Sequence, residues 1–267
     1  MSKSKDALTV SRLIKMKERN EKIVMATAYD YPSALLVDAA GVDMILVGDS
    51  LGNVVQGRET TLSVTLDQMI YHSEIVARAA NRAFVVVDMP FPYCQLGPND
   101  GLRAAARIMQ ETGADAVKIE SGRDRIETVR AIVRAGIPVL GHCGLQPQSV
   151  HISGYKVQRD HDRLMDDAEA LCDAGVFGIL LECVPRESAG EAARKFPVPV
   201  IGIGAGNLCD GQVLVFHDYL LYGLKTKEEL PKHARSYASI GEIIVQATGQ
   251  YIKDVRSGSF PSEEESF

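Results

Sequence analysis

The sequence is dominated by one pattern, in which a short apolar run is followed by an amphipathic stretch and then a glycine. The apolar runs are rich in Val, Ile and Leu without polar alternation, as in strands buried on both faces of a parallel sheet. Glycines that predict helix ends recur at Gly41, Gly113, Gly136 and Gly175. The repeat is roughly 30 residues long, which is typical of βα units.

Eight apolar runs predict eight strands. Eight βα units favour an α/β fold of the (β/α)8 TIM barrel type, and we expect a single such domain over residues 1–267. A doubly wound open sheet is the alternative. The predicted strands are IVMATAY (23–29), DMILVGD (43–49), AFVVVDM (83–89), DAVKIE (115–120), IPVLGHC (137–143), FGILLEC (177–183), VPVIGIG (198–204) and QVLVFHD (212–218).

Helices are predicted outside and between these units. We expect an extra N-terminal helix over 7–20 that closes the bottom of the barrel, and C-terminal helices within 232–257. An apolar stripe on the latter predicts packing at a subunit interface or against the outer helices. Ser33 is the predicted cap of the helix after the first strand, and Asn99 or Asp100 that of the helix after the third.

Composition narrows the classes of function. The net charge of −6 argues against nucleic acid or an anionic membrane as the main partner. Five widely spaced cysteines without a C-x-x-C pair argue against a disulfide framework or structural zinc, and fit a cytoplasmic protein. We expect no secretory signal, because no apolar segment follows the basic N-terminus MSKSKDALTV, and no membrane-spanning segment, because no apolar run approaches about 20 residues.

Four of the apolar runs finish in a carboxylate. In a barrel, the C-terminal ends of the strands form one rim, where the active site lies. The sequence therefore predicts that four acids far apart in sequence meet at one mouth. These residues are Asp49, Asp88, Glu120 and Glu182, on strands two, three, four and six.

Such acids can hold a metal ion or serve as a base. Oxygen ligands select hard cations such as Mg²⁺, and a remaining carboxylate can act as general base. Simpler explanations stay open: an Asp after a strand often caps a helix, Glu120 could pair with Lys118, and Glu182 could pair with Arg186.

Other polar residues predict the same site less specifically. Lys118 faces the same side of its strand as Glu120, so it could bind a substrate carboxylate or form a structural ion pair. His142, at the end of strand five, could bind substrate, shuttle a proton or be structural. Ser50 could contact a substrate carboxylate.

Two further motifs carry little functional signal. The stretch GIGAGN (202–207) does not keep the glycine spacing of a dinucleotide-binding loop, and close packing at the mouth explains its glycines as well. His217 and Asp218 are more readily explained as structural residues.

Together, the motifs TAYDYPSA, ILVGDSLGNVVQG, VVVDMPF, AVKIESG, PVLGHCGLQPQSV, LLECVP and PVIGIGAGNLCDGQVLVFHD resemble the ketopantoate (3-methyl-2-oxobutanoate) hydroxymethyltransferase family. The resemblance runs from about Leu8 to the C-terminus, and only the loop PYCQLGPND (92–100) matches no firm pattern. It implies a barrel enzyme that transfers a one-carbon unit from 5,10-methylenetetrahydrofolate to 3-methyl-2-oxobutanoate in pantothenate and coenzyme A biosynthesis. It also implies a homo-oligomer, often a decamer.

The resemblance also implies roles for individual residues. It implies that Asp49, Asp88 and Glu120 hold Mg²⁺, that Ser50 and Lys118 contact the oxo-acid, and that Glu182 accepts the proton removed from C3. Asp49 and Asp88 would also border the oxo-acid, and His142 is a further candidate for contacting it. The alternatives are a Mg²⁺-dependent C–C lyase of the isocitrate-lyase-like barrel group and a non-catalytic barrel that binds an oxo-acid.

Overall fold

The structure, a computed structural model, describes residues 4–223 and 226–267, and it contains a closed barrel of eight parallel strands. Each strand pairs with the next in sequence, and the first pairs with the last. The (β/α)8 prediction is confirmed, and the open sheet is excluded. The strands are β1 (Ile23–Thr27), β2 (Met44–Val47), β3 (Phe84–Asp88), β4 (Ala116–Glu120), β5 (Val139–Gly144), β6 (Gly178–Glu182), β7 (Val200–Ile203) and β8 (Gly211–Leu214).

The helices lie before, between and after the strands in sequence. The helices are α1 (Val10–Glu18), α2 (Tyr31–Ala39), α3 (Leu51–Val54), α4 (Leu66–Ala79), α5 (Pro98–Thr112), α6 (Ile126–Arg134), α7 (Val150–Ser153), α8 (His161–Asp173), α9 (Arg186–Lys195), α10 (Phe216–Tyr219) and α11 (Ile240–Ser257). Short 3-10 turns lie at Arg123–Arg125, Pro147–Ser149, Lys227–Glu229 and Glu263–Glu265.

The glycine stops are confirmed, whereas two predicted caps are wrong. Gly41, Gly113, Gly136 and Gly175 all have φ between 75° and 92°, the left-handed backbone that ends helices. The cap of α2 is Asp30, whose side chain accepts from the backbone N–H of the predicted cap, three residues on.

The start of α5 also differs from the prediction. Gly97 is its N-cap and Pro98 its first residue, so Asn99 and Asp100 lie within the first turn. Proline suits this place because its fixed φ is helical and the missing N–H has no partner in the first turn.

The core fills the barrel with apolar side chains from its strands, and α1 covers the N-terminal ends of those strands. Leu13 of α1 is fully buried and belongs to the same cluster as Met25, Phe84 and Leu140. Burial of such a side chain contributes about 1.5–3 kcal/mol. The predicted closure of the barrel bottom by an N-terminal helix is confirmed.

The parallel register aligns the strand ends that carry polar residues. Asp88 pairs with Lys118, Glu120 with His142, and Gly144 with Glu182. Residues at the ends of β3 to β6 therefore share one rim.

The described residues divide into two compact units, one up to Leu214 and one from Val215 onward.

The last predicted strand is too long, because β8 ends at Leu214 and Phe216–Tyr219 forms α10, which contains His217 and Asp218. The second unit also contains α11, which has a row of exposed apolar side chains. These are Ile243, Ile244, Val245, Tyr251, Ile252 and Val255.

In residues 4–223 and 226–267, no helix has both the length and the apolar composition that a membrane crossing requires.

Candidate active site

Four carboxylates converge at the C-terminal ends of the strands, and we call Asp49, Asp88, Glu120 and Glu182 the acid cluster. Asp88, Glu120 and Glu182 end their strands, and Asp49 lies two residues beyond β2. The backbone N–H of Asp49 donates to Oδ2 of Asp88 at 3.0 Å. The first three acids are buried, and the Glu182 side chain is 19% exposed.

Lys118 is the cation that contacts this cluster. Its Nζ lies 2.5 Å from Oδ1 of Asp88 and 3.4 Å from Nδ1 of His142. Burial lowers the pKa of Lys118, but Asp88, Glu120 and Asp49 outweigh burial and raise the pKa above its ordinary value. Lys118 is therefore charged, and it forms an ion pair with Asp88 rather than with Glu120.

Burial and neighbouring charges raise the pKa of Asp49 and of Glu120. Burial and the neighbouring charge of Asp88 raise the pKa of Asp49 to about 6. Burial and Asp49 raise the pKa of Glu120 well above its ordinary value. One lysine thus leaves the ionised cluster with an excess of negative charge in a buried place, where such an excess is costly.

This charge excess fits a divalent cation. Mg²⁺ prefers oxygen ligands and usually retains several open or water-filled positions, so a few carboxylates suffice. Over the described part of the chain, no three Asp, Glu, His or Cys side chains already converge as a complete metal-binding group. The fit to a divalent cation therefore rests on the charge excess of the cluster and on its oxygen-only chemistry.

Glu182 faces His142, and the alternative pairing with Arg186 is not found. Oε2 of Glu182 lies 3.4 Å from Nε2 of His142, whereas Arg186 donates from Nε to Oδ1 of Asn207 at 3.0 Å. Burial, reinforced by Asp49 and Asp88, raises the pKa of Glu182 to about 7, although Lys118 opposes the shift. A carboxylate with this pKa can accept a proton near neutral pH.

His142 lies between Lys118 and Glu182. Burial and Lys118 lower the pKa of its imidazole well below the ordinary value, so the ring is neutral. An ammonium group can only donate, so we assign the free lone pair to Nδ1 and the hydrogen to Nε2, on the side of Glu182.

Ser50 has a partner that the sequence did not reveal. Its Oγ and Oη of Tyr29 share a hydrogen bond of 2.8 Å, and Tyr29 is buried. The carbonyl of Tyr29 lies 2.6 Å from Nδ1 of His72 on α4. Tyr29 follows β1, so its place at a strand end was the signal available in the sequence.

Gln148 is a second residue that the sequence did not single out. It lies in the 3-10 turn Pro147–Ser149 after β5, and its backbone N–H donates to Oε2 of Glu120 at 3.0 Å. Its Nε2 donates to Oδ2 of Asp49 and to the carbonyl of Met89, both at 2.9 Å.

The loop 92–100 and the segment GIGAGN (202–207), for which the sequence predicts no specific role, also lie near strand ends. In the loop 92–100, Gln95 donates from Nε2 to Oε1 of Gln148 at 3.4 Å. In GIGAGN, a Cβ on Gly206 would lie 2.5 Å from Cγ of Arg186, so close packing accounts for this glycine.

Sequence comparisons with known proteins agree on one family. The sequence profile of ketopantoate hydroxymethyltransferase matches residues 7–263. A 3-methyl-2-oxobutanoate hydroxymethyltransferase of Rhodopirellula baltica is 50% identical over 99% of this chain and 98% of that protein. The protein of the same name from Moorella thermoacetica is 51% identical over 97% of each chain.

Solved structures share the fold at low sequence identity. A 2,3-dimethylmalate lyase, described as a PEP mutase/isocitrate lyase superfamily member, superimposes with a TM-score of 0.59 at 18% identity, covering 97% of this chain and 92% of that chain. A phosphonopyruvate hydrolase in complex with oxalate and Mg²⁺ gives a TM-score of 0.63 at 11% identity, with coverages of 97% and 93%. At these identities the likeness concerns the fold alone.

Proposed function

The chain belongs to the ketopantoate hydroxymethyltransferase family, and from this membership we propose that it transfers a hydroxymethyl group from 5,10-methylenetetrahydrofolate to 3-methyl-2-oxobutanoate. The product would be 2-dehydropantoate (ketopantoate), and the pathway would be pantothenate and coenzyme A biosynthesis. The observation that carries this proposal is the acid cluster, which surrounds one buried lysine at the barrel mouth.

Asp49, Asp88 and Glu120 are the proposed ligands of Mg²⁺. When bound there, Mg²⁺ would supply a Lewis acid that stabilises negative charge on the keto oxygen of the substrate. The excess negative charge of the cluster and its oxygen-only chemistry support this assignment.

Lys118 and Ser50 are the proposed contacts of the substrate carboxylate. Lys118 is charged, and Tyr29 holds the hydroxyl of Ser50 in place through their hydrogen bond. These two groups would bind and orient the oxo-acid, with Asp49 and Asp88 bordering it. His142, which lies between Lys118 and Glu182, is a further proposed contact of the oxo-acid.

Glu182 is the proposed base. It would take the proton from C3 of the oxo-acid. Water would release the one-carbon unit from methylenetetrahydrofolate as formaldehyde and leave tetrahydrofolate, and the carbon nucleophile would add to the formaldehyde carbon, whose oxygen then takes up a proton. Its raised pKa supports this role because it keeps the carboxylate basic near neutral pH, and Nε2 of His142 lies beside it, 3.4 Å from Oε2.

Two alternatives predict different reactions. An isocitrate-lyase-like enzyme would cleave a C–C bond without folate, and only a fold likeness at low identity favours it. A non-catalytic barrel would bind the oxo-acid without removing its proton, yet a carboxylate of raised pKa in the mouth favours catalysis.

The test is hydrogen–deuterium exchange at C3 of 3-methyl-2-oxobutanoate in D₂O, without folate, followed by NMR. We expect exchange that requires both enzyme and Mg²⁺, and ketopantoate formation once methylenetetrahydrofolate is added. Binding without exchange would favour the non-catalytic barrel. The absence of both exchange and ketopantoate formation would refute the transferase proposal.

The cytoplasmic location and the homo-oligomer, of decamer type, are further parts of this proposal. The cysteine pattern supports the first, and the exposed apolar side chains of α11 support the second.

A further inference from the structure

Gln148 connects three barrel strands to the loop after β5. Its backbone N–H reaches Glu120 at the end of β4, and its side-chain amide reaches Asp49 beyond β2 and the carbonyl of Met89 beyond β3. These three hydrogen bonds are 2.9–3.0 Å long, and Gln148 is 6% exposed.

The donors of Gln148 are all used. A primary amide has two N–H groups, and here one is directed to Asp49 and the other to Met89. Because an N–H can only donate, Oδ2 of Asp49 and Oε2 of Glu120 must accept. Gln148 therefore engages one oxygen of each carboxylate and leaves the other oxygen for different partners.

Asp49 has particular need of such a partner. It lies outside the strand ladder, in the turn before α3, whereas Asp88 is held by the backbone N–H of Asp49 and by Lys118. A buried carboxylate that rotates freely cannot present a fixed oxygen to a cation, and partners of ligating carboxylates serve to fix that orientation.

We infer that Gln148 is a positioning residue that aligns Asp49 and Glu120 for Mg²⁺, and that it sets the affinity of the site for the cation. This inference rests on the proposed function, since it takes those acids as the ligands. Gln148 does not act on the substrate, so its loss should weaken cation binding more than it slows proton removal at saturating cation.

The substitution that isolates this role is Gln148→Met. It keeps the length and most of the volume of the side chain, and it keeps the backbone N–H to Glu120, but it removes both amide donors. The matched control is Gln146→Met in the same loop, because Gln146 contacts Arg125 and the carbonyl of His142 and no member of the acid cluster.

The measurement is calorimetric titration of Mg²⁺ into the full-length protein with saturating 3-methyl-2-oxobutanoate and no folate. We expect Gln148→Met to raise the Kd for Mg²⁺ by about 10- to 100-fold, the usual effect of losing a partner of a metal ligand. The control should stay within about twofold of the wild type, on the same scale. The C3 exchange rate of Gln148→Met at saturating Mg²⁺ should recover to within a few-fold of the wild type.

Several outcomes would overturn the inference. A Kd for Mg²⁺ within about twofold of the wild type, together with a lower Tm, would make Gln148 purely structural. If Gln148→Met does not fold, Gln148→Ala takes its place, with the same expected loss of affinity. Failure of both variants to fold would also reject a role specific to the metal.

Measurements on the wild-type protein distinguish a failure of this inference from a failure of the proposed function. If the wild-type protein neither binds Mg²⁺ nor exchanges the C3 proton, both proposals fail. If it does both, and the Gln148 variants bind Mg²⁺ equally well, only the role of Gln148 is refuted.

Discussion

The pKa of Glu182 determines when this side chain can accept a proton. Burial raises that pKa to about 7, and a base works only in its deprotonated form. Burial is the largest cause of the shift and remains when Mg²⁺ is bound, whereas Mg²⁺ would offset the contributions of Asp49 and Asp88. C3 exchange at saturating Mg²⁺ should therefore fall about tenfold per pH unit at low pH and level off above the ordinary range of a glutamate, no higher than about pH 7. A glutamate of ordinary pKa would instead give a rate that is already flat above about pH 5.5.

Lys118 is expected to bind the carboxylate of the oxo-acid. Replacing Lys118 with Gln or Met would remove the positive charge, and Lys118→Met also keeps the length of the side chain. Because charge-assisted hydrogen bonds contribute about 1.5–3 kcal/mol, the KM for the oxo-acid should rise about tenfold or more. Steady-state kinetics with the folate and the oxo-acid varied separately test this.

The KM for the folate serves as the internal control for Lys118→Met and should change little. An unchanged KM for the oxo-acid with a much lower Tm would show that Lys118 serves only its ion pair with Asp88.

At the scale of elements, local patterns predicted the strands and the helix ends well. Runs of Val, Ile and Leu specify buried parallel strands, and glycine specifies a left-handed helix end, because both depend on a few neighbouring residues. The helix starts were less predictable, since Asp30, Ser33 and Asn99 are all good caps and only the path of the chain selects among them. The same holds for β8, whose apolar run continues into the helix at Phe216.

The acid cluster could be predicted because each acid ends a strand, and the barrel brings strand ends together. The contact between Gln148 and Asp49 could not be predicted from the sequence. It joins residues 99 positions apart, and no local sequence pattern around either residue indicates it. The neighbour of Glu182 could not be predicted either, because the parallel register of β5 and β6 places His142 beside it rather than Arg186, which is closer in sequence.

The junction of β5 and β6 offers a test of how closely the base is positioned. A Cβ on Gly144 would lie 2.4 Å from the carbonyl oxygen of Glu182, and Gly144 has φ +94°. Gly144→Ala should therefore move the backbone of the base and lower the C3 exchange rate by about tenfold or more, since small displacements in a catalytic site are costly.

Gly136→Ala is the matched control for this backbone effect. Gly136 has φ +85°, but an added Cβ meets nothing within 4 Å. It should lower Tm through conformational strain of about 1–2 kcal/mol and leave the exchange rate unchanged. Equal exchange rates in the two variants would refute the positioning effect.

For the whole molecule, α11 is the element expected to join subunits. It carries a row of exposed apolar side chains, among them Ile244 and Ile252, and burial of such a surface drives association. Ending the chain after Ser239 should lower the mass measured by size-exclusion chromatography with light scattering.

A point substitution separates loss of the interface from loss of structure. Ile244→Lys should also lower the mass, whereas Gln250→Lys, which adds the same charge to the same helix, should preserve it. A full-size oligomer in both the truncated protein and Ile244→Lys would exclude α11 from the interface.

The central claim is that one carboxylate of the acid cluster takes the proton while the others hold the metal. Its most direct test is C3 exchange of 3-methyl-2-oxobutanoate, measured with Mg²⁺ binding, in Glu182→Gln and Asp49→Asn. We predict that Glu182→Gln binds Mg²⁺ and oxo-acid nearly as the wild type does but loses at least about 100-fold in exchange rate, on the usual scale for a general base. Asp49→Asn should lose Mg²⁺ binding first. If Glu182→Gln instead loses Mg²⁺ binding and regains exchange when Mg²⁺ is raised, Glu182 is a metal ligand and the claim is wrong.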